Sequence, residues 1–484
     1  MARKSTRKSI RRPATRRRPR RSPRARRSPR TAQPETILVV NMIPQSLSGE
    51  AEQDSEPSLA VDSANPQRMV GTAFTPDPMG TGFAPIFVSA DSGLTWTLRS
   101  TVPSSNITGD ISVDFGRNGR LYGGILKVPG GLLLNILRTS DAFATTPMDV
   151  VSNRSNVDQP FVRSQSVGTR DHVYIGSNDF DATGGKTATV DVSLDGAATT
   201  PQFDKVRIER RGTGSAGQDG PQIRPASHPD GTVYAVFYGW RSFSSSRRVT
   251  SDVVVVRDDG GGGGSSPFSA LVDPSDSLPG RLVAKGVTFV WSAMLGNQRT
   301  GGDLAIAVDP TDSRTVYLAW AGLSGNDFTL HVRRSTDGGN TWSANDLRTK
   351  PLAINPGLAV NAQGTVCFLC QQLKGTGASR RWVTTIERSP DGGATWQSSV
   401  LANVPATTPA PQFQPYIGDY AGLTSVGNDF FGIFSANNSP DMTRFPSGVV
   451  YQRNHDFQTR RLFDVDGTTQ VAVSIDPFFF KVTS

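Results

Sequence analysis

The sequence predicts an all-β chain, a β-propeller built from one four-stranded unit repeated around a ring. Three observations predict it. The octet Ser-x-Asp-x-Gly-x-Thr-Trp occurs three times, as SADSGLTW (89–96), STDGGNTW (335–342) and SPDGGATW (389–396). A two-strand opening recurs seven times in phase with it. The composition, 49 Gly and 33 Pro among 484 residues, suits short strands joined by turns, and no long amphipathic helix interrupts them.

The chain begins with a segment of a different kind. Residues 1–30 carry 15 of the 51 Lys and Arg and none of the 42 Asp and Glu. The remainder therefore has 36 basic and 42 acidic residues, a net charge of −6 beneath an overall +9. Such a stretch repels itself and has almost nothing apolar to bury, so residues 1–33 are expected to be a disordered Arg/Ser/Pro-rich tail ahead of a propeller at 34–484. The tail lacks the apolar core of a secretory signal, and no stretch is long and apolar enough to span a membrane. A cytoplasmic location, or export by another route, is the expectation. Fifteen positive charges fit contact with nucleic acid or another polyanion through phosphates, without base readout, because no aromatics are interleaved.

The seven openings begin at Glu56, Asp110, Asp158, Asp219, Asp303, Asn355 and Gln414. Each reads as a hairpin, two β-rich runs around a turn such as PDG, AQG or GRNG. Two further β-rich runs complete a unit of about four strands. Weakened octets around Asp141, Asp195 and Asp258 fill the gaps between full copies, at steps of 50, 54, 63, 79 and 54 residues from Asp91 to Asp391. Seven such units describe a seven-bladed propeller, with six blades as the alternative.

Within the octet the chemistry is that of a turn. Ser89, Ser335 and Ser389, with Asp91, Asp337 and Asp391, can accept from backbone N–H groups. Gly93, Gly339 and Gly393 permit positive φ, and Trp96, Trp342 and Trp396 restart a strand and pack. These residues match the Asp-box, or BNR, repeat, and over 36–484 the chain resembles the sialidase-like propellers. The resemblance implies that the boxes lie on turns between third and fourth strands, away from the active face, and so are structural.

In a propeller the innermost strands line a channel, and ligands bind at its mouth. The opening residues would ring that mouth, which makes Glu56, Asp110, Asp158, Asp219 and Asp303 candidates for acid–base work or for a bound Ca²⁺, although each could instead cap its own turn. The last opening, QPYIGDYAGL (414–423), adds Tyr416, Asp419 and Tyr420. Retaining sialidases use a tyrosine nucleophile, so the resemblance implies a catalytic Tyr420 supported by Asp419, Asp110 and Asp158. Glu56, Asp219, Arg224, Asp303 and Tyr416 would contact ligand. The sialidase arginine triad is not recognisable. The first unit reads EPSLAVD without arginine, and Arg163, Arg224 and Arg241 stand elsewhere.

Two functions follow. One is a glycan-directed propeller, hydrolase-like or carbohydrate-binding, with Tyr238, Trp240 and Trp320 as exposed aromatics for stacking on sugars and without typical exo-sialidase activity. The alternative is a non-enzymatic scaffold or effector tethered to a polyanion by its tail. Cys367 and Cys370, three apart on one strand, face opposite sides and form no bridge, and the four histidines show no metal-ligand spacing, so no metal site is expected among them.

Overall fold

A computed structural model describes Met1 and residues 36–76, 82–104, 107–127, 132–181, 186–211 and 223–483. The expected basic tail, apart from Met1, and the candidate Asp219 lie outside the described residues.

Strand follows strand from Thr36 to Thr483, with four single-turn 3₁₀ segments as the only helical pieces among the described residues. Seven sheets of four or five strands form, six of them from consecutive antiparallel strands and the seventh closed by strands from both ends of the described chain. Each opens on an inner strand: Ser55–Val61, Ile111–Phe115, Val157–Val167, Arg224–Ser227, Leu304–Asp309, Ala353–Val360 and Gly422–Val426. Each inner strand lies against the next, and Gly422–Val426 lies against Ser55–Val61, which closes the ring.

The closing sheet joins both ends of the described chain. Its third strand, Ile475–Thr483, pairs antiparallel with Thr36–Asn41, from Thr36↔Thr483 to Asn41↔Phe478. Val450–Tyr451 then adds in parallel to Thr36–Asn41. Radial closure removes long free edges, which stacked strands of this kind otherwise expose.

The core lies in slices between successive sheets. One slice joins Val70, Ile86 and Val88 of the first sheet to Ile111, Ile125 and Leu137 of the second. Another joins Val190 and Val192 to Val233, Phe237 and Val254. A middle sheet is therefore covered on both faces, and its strands read as continuous apolar runs, such as VYAVFY at 233–238. Tyr238, Trp240 and Trp320, expected to be exposed for sugar stacking, belong to this core at 0%, 4% and 3% exposure. Cys367 and Cys370 are buried free thiols on Val366–Lys374.

The octets sit on the turns between third and fourth strands, at 89–97, 335–348 and 389–397. Each builds the same knot. In the first, Ser89 Oγ donates to Asp91 Oδ1 at 2.8 Å and accepts from Gly93 N–H at 3.0 Å. Asp91 then accepts from Thr95 N–H at 2.9 Å and Thr95 Oγ1 at 2.6 Å. Trp96 Nε1 closes the turn on Gly93 O at 3.0 Å. The second and third octets repeat these bonds through Ser335, Asp337 and Thr341, and through Ser389, Asp391 and Thr395. Gly93, Gly339 and Gly393 hold φ of 86°, 86° and 98°, a region costly for any residue with a Cβ. Donors aimed at the ionised Asp oxygens hold the Asp91 and Asp337 carboxyls below their usual range despite partial burial.

Candidate active site

The start of each inner strand faces one end of the channel, where several charged side chains converge. Three of those strands enter with the same bend. Glu56, Gln159 and Asn355 each precede a proline, hold φ near 54°, and lie in a register shift against the second strand. The bulge re-aims the residue that carries it. In the third sheet that residue is Gln159, not Asp158. Asp158 precedes it by one residue and accepts from Gln159 N–H at 2.9 Å. Asp110 and Asp303 precede their strands directly, and their carbonyls accept from Leu126 and Ala321 N–H groups of the second strands.

The segment 414–421 lies upstream of the last inner strand and crosses the mouth. Gly418 permits the crossing. It has φ of 95°, and a Cβ there would meet Glu56 N at 2.5 Å and Glu56 Cα at 2.9 Å. The crossing delivers Asp419 and Tyr420, while Tyr416 is wholly buried and donates its hydroxyl to Pro409 O at 2.9 Å. Gln414 turns away, accepting from Arg299 N–H at 3.1 Å and donating to Asn297 O at 2.7 Å.

That contact introduces a hairpin that the repeat pattern did not single out. Strands Ala293–Leu295 and Gln298–Thr300 form a small separate sheet. Arg299 reaches from it to Asp419, with Nη2 at 2.5 Å and Nε at 3.1 Å from Oδ2. Gln298 adds a donor to Asp419 Oδ1 at 3.3 Å and accepts from Ile417 N–H at 2.8 Å. One signal for this insertion was present. The step from Asp258 to Asp337 is 79 residues, well beyond the other steps.

Around this ion pair the electrostatics are those of buried acids. Glu56 is 2% exposed, and burial, followed by the charge of Asp110 and a hydrogen bond to it, pushes its carboxyl well above the usual range. Burial also raises Asp110, although the bond from Glu56 opposes this. Burial thus favours the protonated form of Glu56, whose carboxyl lies against that of Asp110, as in close carboxyl pairs where both cannot readily ionise. Asp303 accepts from Asn355 N–H at 3.0 Å, yet burial lifts its carboxyl to about 7. Burial likewise lowers Arg224 to about 10 and drives the Tyr420 phenol far up.

Arg224 and Tyr420 form the floor of the mouth. The guanidinium lies 4.3 Å from the Phe161 ring centre and 5.5 Å from that of Tyr420. Its Nε donates to Leu304 O at 3.2 Å, while Nη1 and the Tyr420 hydroxyl are buried without partners. Both line a channel cavity of about 60 Å³. At ~10–15 Å³ per water site, this space takes a few waters and no sugar ring, so a larger ligand would have to bind outside it, over Asp419 and Arg299.

Two other candidate arginines are paired. Arg163 is 3.5 Å from Asp114; it lines the same cavity as Arg224 and also the opposite end of the channel. Arg241 pairs with Asp252 at 2.8 Å and Glu209 at 3.1 Å.

No family model matches the chain, and no curated protein is significantly similar to it. Among solved structures, the chain is similar in outline to the GH93 α-L-arabinofuranosidase of Fusarium graminearum, at 13% identity and a TM-score of 0.42, over 91% of this chain and 97% of that one. It is also similar to a PL25 ulvan lyase, at 8% identity and a TM-score of 0.47, over 80% and 92% of the two chains. The phage phi92 endosialidase gives 11% identity and a TM-score of 0.40, over 92% and 69%.

Proposed function

We propose that this chain is a seven-bladed, sialidase-like BNR propeller that acts on glycans as a glycoside hydrolase. One observation carries the reading: a deeply buried carboxyl, Glu56, lies in one electrostatic cluster with Asp110 and the Asp419–Arg299 ion pair, where burial favours its protonated form. Cleavage of a glycosidic bond needs a protonated acid and a separate carboxylate. Glu56 is the acid. Asp110 orients its proton and is too close to serve as the second carboxylate, because retaining and inverting sites separate the two by ~5–9 Å. Asp419 is the second carboxylate, fixed in place by Arg299 and Gln298. Tyr420, kept as a phenol by burial, acts as a hydrogen-bond donor on the floor beside Arg224.

Exo-sialidase activity is not expected. Arg299 is already neutralised by Asp419, Arg163 pairs with Asp114 and Arg241 with Glu209 and Asp252, which leaves one guanidinium, Arg224, with an unpartnered nitrogen at the mouth. A substrate carboxylate would compete with Asp419 rather than meet a free cluster of cations.

The test is a panel of chromogenic glycosides and a glycan array, run on wild type, Glu56→Gln, Asp419→Asn and Tyr420→Phe. Glu56→Gln should lower turnover by ~10²-fold or more while leaving glycan binding in place. Tyr420→Phe should have a smaller effect. Absence of glycan binding and turnover throughout, or turnover indifferent to Glu56 and Asp419, would sink the reading. Robust sialoside turnover would overturn the negative claim.

A further inference from the structure

A second group of carboxylates lies at the seam where the ring closes. The loop 48–54 leads from the closing strand Thr36–Asn41 towards the first inner strand, Ser55–Val61. There, one oxygen from each of Glu50, Asp54 and Asp476 lies within 4.8 Å of the others. Asp476, on Ile475–Thr483, is wholly buried and anchored by four donors. Its Oδ2 accepts from Asn41 Nδ2 at 2.8 Å and Arg453 Nη1 at 3.1 Å, and its Oδ1 from Asn438 Nδ2 and Ser474 Oγ, both at 2.7 Å. Arg453, also wholly buried, donates its Nη2 to the carbonyls of Ser48, at 2.6 Å, and Glu50.

Glu50 and Asp54 are not satisfied in this way. Glu50 Oε1 accepts from Glu52 N–H, but Glu50 Oε2 and Asp54 Oδ1 are buried without a donor. Asp54 is 1% exposed. Three carboxylates against one guanidinium leave an excess of two negative charges. Buried groups of one sign must be neutralised by protons or by a cation.

We propose that Glu50 and Asp54, backed by Asp476, hold one divalent, oxygen-preferring cation of the calcium type. The three named groups are all carboxylates, without nitrogen or sulfur ligands, and oxygen sets of this kind select hard cations. Two ligands on opposite sides of a Ca²⁺ stand ~4.8 Å apart, which accommodates the observed spread, and a charge of +2 cancels the excess. The cation would tie the ring's closing strand to its first inner strand. It would also brace the mouth. Gln53, within the same loop, accepts from Gln412 N–H at 3.0 Å and donates to Phe413 O at 3.2 Å and Pro415 O at 3.0 Å, so the loop holds the segment that leads to Asp419. This inference does not depend on the glycan reading.

The experiment uses the full chain, dialysed against chelator and titrated with CaCl₂ at neutral pH, followed by thermal unfolding and calorimetry. Ca²⁺ should raise Tm by a few degrees at about a hundredfold excess over Kd, with one ion bound. Glu50→Gln and Asp54→Asn should each weaken that binding by ~10-fold or more. Both are isosteric, and Glu50→Gln, at the less buried position, keeps the test open if Asp54→Asn fails to fold. No response to about 10 mM Ca²⁺, or an unchanged response in Glu50→Gln, would overturn the site and leave shared protons as the neutralising device. An equal response to MgCl₂ would overturn the calcium-type assignment.

Discussion

Asp303→Asn gives the sharpest test of the electrostatics at the channel mouth. The wild-type carboxyl is lifted by burial from 3.8 to about 7, against the pull of the Asn355 N–H and of Arg224. In the unfolded chain it ionises near ~4. Between about pH 4 and 7 the native protein therefore holds a proton that the unfolded chain has released. Stability from this group is fully present below pH ~4 and is lost as pH rises towards 7. The shift spans about three units at ~1.4 kcal/mol each, so the loss approaches about 4 kcal/mol above pH 7. Asparagine has the same shape, keeps an oxygen for the Asn355 N–H, and cannot ionise. The variant should differ from wild type by a constant offset near pH 4 and gain on it by up to about 4 kcal/mol at pH 8. Guanidinium denaturation at intervals across this range, with a common m value, measures the difference. A pH-independent offset would refute the reasoning. So would wild type gaining on the variant as pH rises, which would mean that pairing with Arg224 outweighs burial.

Other outcomes follow from the same structure. Trp96→Ala removes a side chain packed 5.4 Å from the Phe479 ring and should cost ~3–5 kcal/mol in chemical denaturation. Asp337→Ala removes the acceptor of Thr341 and should cost about 1 kcal/mol while leaving any measured activity per folded molecule unchanged. Loss of activity at unchanged Tm would argue against a turn-building role. Gly418→Ala forces a Cβ against the Glu56 backbone at positive φ, and should lower Tm and impair the mouth together, which activity and melting on one sample would show. Deleting residues 1–33 should abolish any salt-dependent binding to DNA or heparin, measured by a salt titration, without lowering Tm.

The parts of this protein legible in its sequence are those whose physics is local. Strand alternation, turn chemistry and the octets need only residues a few positions apart. All the bonds of the first knot fall between Ser89 and Trp96, so the same five residue types at the same spacing rebuild it wherever they recur. Counting those signals gives an all-β ring and places its inner strands near the openings. Side-chain exposure was not legible. Tyr238, Trp240 and Trp320 are buried because a neighbouring sheet covers each face, and no strand records which faces its neighbours will cover. Phase at single-residue precision was hidden too, since a bulge puts Gln159 rather than Asp158 in the position equivalent to Glu56.

The candidate site itself was decided by ring closure. Glu56, Asp110, Asp303 and Asp419 could be named from the sequence, but the partner of Asp419 comes from a hairpin 120 residues away. Likewise Asp54 and Asp476, at opposite ends of the body, meet only where the last sheet takes its fourth strand, Thr36–Asn41, from the N-terminal side. Burial then sets the protonation of these groups, because the desolvation that raises Glu56 and Asp303 depends on everything packed around them. Periodicity along the chain is enough to specify the repeated unit. Which charges share one dry mouth follows instead from long-range closure, which no local pattern encodes.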